Sequence, residues 1–141
     1  MFSTSASNVI DAAIALSSTA NLGNATRSDG YGTPRSTTVA ATFNQKLKKY
    51  GRTTQQTKGF VWATNVIVNV NYGDAGVARF VGQIMIKGNG TFSAGGDSGS
   101  LIVTQRGNNP VGLLFAGSSQ FTCANPIDDV LAAFGVTIDG A

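Results

Sequence analysis

From residue 39 onward the chain is written in short apolar runs cut by Gly, Asn and Pro, and the clearest of them alternates with a period of two. Successive side chains on a strand point to opposite faces, so this pattern favours antiparallel β structure as the way to bury the apolar residues. In Val66-Ile67-Val68-Asn69-Val70-Asn71-Tyr72, the residues Val66, Val68, Val70 and Tyr72 fall on one face and both asparagines on the other. Gly73-Asp74-Ala75-Gly76 reads as a turn, after which Ala78, Phe80, Ile84 and Ile86 share a face of a strand ending at Lys87-Gly88-Asn89-Gly90. Val39 to Lys49 predicts an earlier strand that stops at Tyr50-Gly51. Ser100–Thr104 and Val111–Ala116 predict two more around the polar turn Arg106–Pro110, with a short strand near Gln120–Cys123. Strands at this spacing predict a sandwich or barrel.

One helix is expected near the C-terminus. Asn125 can cap it, Pro126 suits its first helical position, and Asp128 and Asp129 favour the positive end of its dipole. Ile127, Val130, Leu131 and Phe134 form one apolar face, and Gly135 is placed to end it. Residues 8–16 are apolar enough for either a helix or a buried strand, and periodicity does not choose between them. Residues 17–38, rich in Ser, Thr, Gly and Asn, read as a long loop. The 141 residues therefore divide into an N-terminal segment, 1–35, and one all-β domain with a C-terminal helix, 36–141.

Charge narrows the classes of partner. Ten Lys and Arg stand against seven Asp, with no Glu, for a net charge of +3. The densest basic cluster, Lys46, Lys48, Lys49 and Arg52, reads as the solvated face and end of a strand. Only Tyr50 interleaves with it along the sequence, too little for a base-stacking surface, so no nucleic-acid partner is expected. No apolar run reaches the length of a membrane span, and no membrane partner is expected. Met1-Phe2-Ser3-Thr4-Ser5 lacks the features of an export signal, which makes cytoplasmic residence the default expectation. Cys123 is alone and reads as a buried, inert thiol; no metal or other cofactor is expected.

The chemistry-bearing segment is Gly95-Gly96-Asp97-Ser98-Gly99-Ser100, and the sequence contains no histidine. A serine hydroxyl attacks a carbonyl well only when a neighbouring base takes its proton, and the usual base is an imidazole oriented by a carboxylate. A lysine could substitute, but none of the five sits in a recognisable motif with Ser98. The α/β-hydrolase elbow fits poorly, since Ser100 stands where that motif needs glycine and Leu101-Ile102-Val103 reads as strand.

The loop, its continuation Leu101-Ile102-Val103, the later run Pro110–Gly117, and then a short strand and helix together resemble the trypsin-like (chymotrypsin-fold) serine peptidases of bacteria. Lys49-Tyr50-Gly51-Arg52-Thr53-Thr54 is similar to the block that opens their second barrel. The resemblance covers roughly residues 36–135. It implies an antiparallel six-stranded β-barrel with a C-terminal helix, half of the two-barrel fold.

The resemblance also implies roles. Ser98 matches the nucleophile, and the N–H groups of Gly96 and Ser98 match the oxyanion hole. Asp97 matches the carboxylate that orders the loop by pairing with a buried cation, for which Arg52 is the candidate. Phe115, Ala116 and Gly117 match the strand along which substrate pairs, with Phe115 where the family has a small Ser. Phe92 or Ser93 matches the pocket floor, which hints at apolar selectivity. Asn8–Ala15 is similar to the segment whose Asp, here Asp11, orients the imidazole, although a bland N-terminal aspartate is an equal reading.

With two triad positions and no third, the chain is expected to be inactive alone. It is expected to act as a folded or binding module, and to pair as a homodimer or larger assembly through the flank that the other barrel would cover. Two alternatives are a peptidase portion whose histidine comes from another chain or segment, and a non-catalytic interaction barrel.

Overall fold

A computed structural model describes residues 5–141; Met1–Thr4, most of the stretch read for an export signal, lie outside the described residues. Six strands form one closed antiparallel barrel: β1 (Lys46–Gly51), β2 (Gln55–Asn71), β3 (Val77–Gly88), β4 (Leu101–Thr104), β5 (Pro110–Gly117) and β6 (Thr122–Pro126). Around the barrel the order is β1-β2-β3-β6-β5-β4, and β4 pairs back to β1 to close it. The helix α1 (Ile127–Phe134) follows β6 directly, and no helix is long and apolar enough to cross a membrane. The expected six-stranded half-fold is the one observed.

Inward-facing residues of every strand fill the barrel. Leu47, Val61, Ile84, Ile86, Ile102 and Leu114 are all buried, and Phe92 closes one end from the loop after β3. Burying side chains of this size contributes roughly 1.5–3 kcal/mol each, which is what holds so short a chain of strands closed. The alternation expected in Val66–Tyr72 is present: the valines are half-buried while Ile67, Asn69 and Asn71 are exposed.

Three expectations need correction. The strand predicted from Val39 begins only at Lys46, because Asn44 takes a left-handed φ of 65° and turns the chain. The strand placed near Gln120–Cys123 lies at Thr122–Pro126. Asn125 does not cap the helix, whose N-cap is Pro126 with no side-chain cap bond. Asn125 is fully buried in β6, and its amide is committed to two other groups described below. At the other end Gly135 adopts the left-handed cap expected of it.

Residues 5–45 form no regular strand or helix apart from one bridge, Asn8 to Phe80. The 8–16 segment is therefore neither of its two candidate structures. It is pinned to the barrel at discrete points. Asn8 exchanges backbone bonds with Arg79 and Val81 at 3.0 and 2.9 Å. The Gln83 amide donates to Val9 O at 2.7 Å, and Asp11 N–H donates to Asn125 Oδ1 at 3.1 Å. Farther on, Asn108 donates to the carbonyls of Tyr31 and Thr33, and Pro34 and Ser36 pair with Ala141.

Candidate active site

The loop 94–100 is folded around one buried carboxylate. Asp97 Oδ1 accepts the N–H groups of Thr53 and Thr54 at 2.8 and 3.2 Å, and Oδ2 accepts Thr54 Oγ1–H at 2.6 Å and Ala94 N–H at 3.0 Å. Lys49 Nζ stands 3.5 Å from Oδ2, and both side chains are fully buried. Burial alone would raise the pKa of Asp97, but the Thr54 hydroxyl and the three backbone donors outweigh it and hold the carboxyl well below the usual carboxylate range. Burial pushes Lys49 the other way, down from its ordinary value, and Asp97 offsets this only in part.

The buried cation is thus Lys49, not Arg52. Lys49 follows Leu47 at a spacing of two and shares its inward face, so it belongs to the interior rather than the solvated face assigned to it above. Its ammonium also donates to Thr54 Oγ1 at 2.5 Å and Gln55 O at 3.1 Å, which makes Thr54 a bridge between the two charges. Arg52 instead lies beside Gly96. Gly51 makes the approach feasible: a Cβ there would stand 2.4 Å from Asp97 Oδ1.

The rest of the loop presents Ser98. Gly96 has φ +97°, a conformation that disfavours any side chain. The N–H groups of Asp97, Gly99 and Ser100 bond to Ala94 O, Leu114 O and Asp97 O. Among the described residues nothing accepts a bond from the N–H of Gly96 or Ser98, and nothing pairs with the Ser98 hydroxyl. Ser98 is exposed.

Ser98 opens onto a cavity of about 500 Å³. One wall is the stretch from Gly90 to Gly95; the other is Ala116–Ser118 with Phe121 and Thr122. Ser93 Oγ and Thr122 Oγ1, 2.5 Å apart, join the two walls, and Phe92 is buried beneath. Among the described residues no charged side chain lines it. Of the expected substrate-contacting residues, the fold brings Phe92, Ser93, Ala116 and Gly117 to this cavity. Phe115 is not among its lining residues: its ring packs 5.0 Å from that of Phe80.

Asp11 sits elsewhere on the same line of contacts. Its carboxylate accepts the Tyr72 hydroxyl, whose pKa burial and this bond push far up. The Tyr72 ring lies 6.5 Å from Phe80, which in turn meets Phe115. An aromatic row thus leads from Asp11 to Phe115, the residue after Leu114, whose carbonyl accepts the Gly99 N–H. The Cys123 thiol is buried, and burial raises its pKa, as expected of an inert thiol.

The barrel has counterparts among solved structures. A chymotrypsin of Cellulomonas bogoriensis matches with a TM-score of 0.64 at 24% identity, over 79% of this chain and 58% of its own. Thermobifida fusca protease A matches with a TM-score of 0.64 at 22% identity, over 82% and 59%. The barrel is one half of the chymotrypsin-like serine protease fold. A glutamic acid specific serine protease, described as using a histidine triad in substrate binding, is 33% identical over 79% of this chain and 57% of its own, with a TM-score of 0.57. The chain spans somewhat over half the length of these proteases. No protein-family model matches the sequence, and no curated protein matches it.

Sequence reasoning missed Lys49, Thr54, Gly51 and Phe121. For Lys49 the signal was present in its parity with Leu47. Gly51 and Thr54 lay in the Lys49–Thr54 block already singled out, but nothing local ties them to Asp97, and for Phe121 there was no signal.

Proposed function

We propose that this half-fold is the nucleophile- and pocket-bearing part of a serine peptidase site that binds polypeptide without hydrolysing it alone. The observation that carries this reading is an exposed Ser98, with unpaired N–H groups at Gly96 and Ser98, beside an uncharged cavity, in a chain without histidine. The two N–H groups serve as donors to a carbonyl oxygen, worth about 2.7–4 kcal/mol each when aimed at developing charge. Without an imidazole, Ser98 keeps its proton and the attack does not proceed at a useful rate. The cavity suits an apolar or small neutral side chain. A glutamate there would lack the histidines that the glutamate-specific relative is described as using.

The second reading, an imidazole supplied by another polypeptide, is favoured by Asp11. Its carboxylate is held in place by a phenol O–H, which an incoming imidazole N–H can replace. The N-terminal segment with exposed Ile14, Leu16 and Leu22 would then receive that partner or a second copy, and light scattering of the chain alone distinguishes the two.

Reaction with a fluorophosphonate probe tests the main reading, with Ser98→Ala as control. The chain alone is expected to stay unlabelled under conditions that label complete proteases. Selective labelling of Ser98 overturns it.

A further inference from the structure

The outer face of β1, β2 and β3 carries four of the five lysines, and the sheet interleaves them with aromatic rings that are distant in sequence. Lys46 on β1 is in register with Phe60 on β2, and Phe60 with Lys87 on β3. Lys46 Nζ lies 4.8 Å from the centre of the Phe60 ring. Lys87 Nζ lies 3.8 Å from that of Trp62 and 4.9 Å from that of Phe121. Lys48 rests 5.7 Å from the Tyr31 ring and directly opposes Lys58 across the strand pair. Like charges directly opposed destabilise a sheet. Burial and Lys58 together lower the pKa of Lys48. Among the described residues the ion pairs are Arg27–Asp29 and Lys49–Asp97, so no carboxylate neutralises this face.

The face adjoins the cavity. Phe121, which carries the Lys87 ammonium, also lines the cavity beside Ser98, as does Gly88, the residue after Lys87. We infer that this lysine face is an accessory binding surface for an acidic stretch of the polypeptide whose neighbouring residue occupies the cavity. This rests on the peptide-site reading above. Carboxylates suit it better than nucleotides for a geometric reason. A base-stacking platform needs open ring faces, whereas these rings are capped by ammonium groups that the cation–π contacts hold in place.

Trp62, the sole tryptophan, lies in the face and reports on it. The full chain is titrated, with Trp62 fluorescence as readout, against three probes. The first is a peptide with one apolar residue beside a run of glutamates, the second is the same peptide with glutamines, and the third is an oligothymidylate of equal charge. The acidic peptide is expected to bind about 10-fold more tightly than the neutral one, an advantage lost at high salt. Lys46→Gln and Lys87→Gln should each weaken the acidic peptide about 1.5- to 5-fold and leave the neutral one unchanged. Equal binding of the two peptides, or binding of the oligothymidylate as tight as that of the acidic peptide, overturns the inference. Cavity-filling Ser93→Phe separates the two readings. If the acidic peptide still binds this variant with full affinity and shifts Trp62, the lysine face stands as a polyanion site and the peptide-site reading fails. If the neutral peptide binds wild-type chain but not this variant, and glutamates add nothing, the cavity stands and the lysine face fails.

Discussion

The nucleophile loop and the Asp11 segment both carry chemistry-bearing residues, but they are held in different ways. Asp97 fixes its loop from inside the barrel, with four hydrogen bonds and a buried ammonium converging on one carboxylate. Asp11 lies on a segment without regular structure, fastened through the side-chain amides of Gln83 and Asn125 and a backbone bridge at Asn8. The loop is thus determined within this half-fold, since every partner of Asp97 comes from β1, the following turn or the loop itself. The Asp11 segment depends on amide contacts to the outside of β3 and β6. The geometry of the Ser98 loop is therefore fixed independently of the Asp11 segment.

The sharpest way to break this contrast is Lys49→Met, which leaves Asp97 buried without its cation. It is expected to cost about 3–5 kcal/mol in urea denaturation, because a buried charge stripped of its partner is far worse than an exposed one. A loss below 1 kcal/mol would mean that the hydrogen bonds alone hold the loop. Next comes Asn125→Ala, which unpairs Asp11 N–H and Gln83 Oε1 for roughly 1–3 kcal/mol. Amide exchange should then quicken at Asn8 and Asp11 while Gly99 and Ser100 keep their protection. If both regions loosen together, the two are one cooperative unit. Gly96→Ala should cost roughly 1–2 kcal/mol, because alanine at φ +97° is strained and its Cβ would stand 2.6 Å from Thr53 Oγ1.

The smallest effect is that of pH near neutrality. With neither Glu nor His, no side chain of ordinary pKa titrates between about pH 5 and 8, so stability should be flat there. In acid the sign follows from Asp97. Its carboxyl is held below the usual range in the fold, so its contribution is complete above about pH 4 and is lost as pH falls toward the folded value. Asp97→Asn should make that acid limb shallower in denaturation series taken across pH, whereas an unchanged limb would assign acid sensitivity to other aspartates.

Much of the barrel was legible because its signals are local. The alternation of Val66–Tyr72, the turn at Gly73–Gly76 and the left-handed stop at Gly135 act over a few residues, and each appears where the pattern places it. The turn that carries Gly96 and Ser98 was legible for the same reason, as one short loop. Where reading failed, a distant partner had won. Asn125 satisfies every local rule for a helix cap, yet burial in β6 commits its amide to Gln83 and Asp11, because a buried amide must be paired.

By itself, then, the sequence determined the strands, the serine loop and the absence of an imidazole, which depend on residue type and short-range spacing. Tertiary structure alone decided which cation neutralises Asp97, which residues wall the cavity, and that lysines and aromatic rings share one face. Those are pairings between residues far apart in the chain, and strand register, set by closing the barrel around its core, is what brings them together.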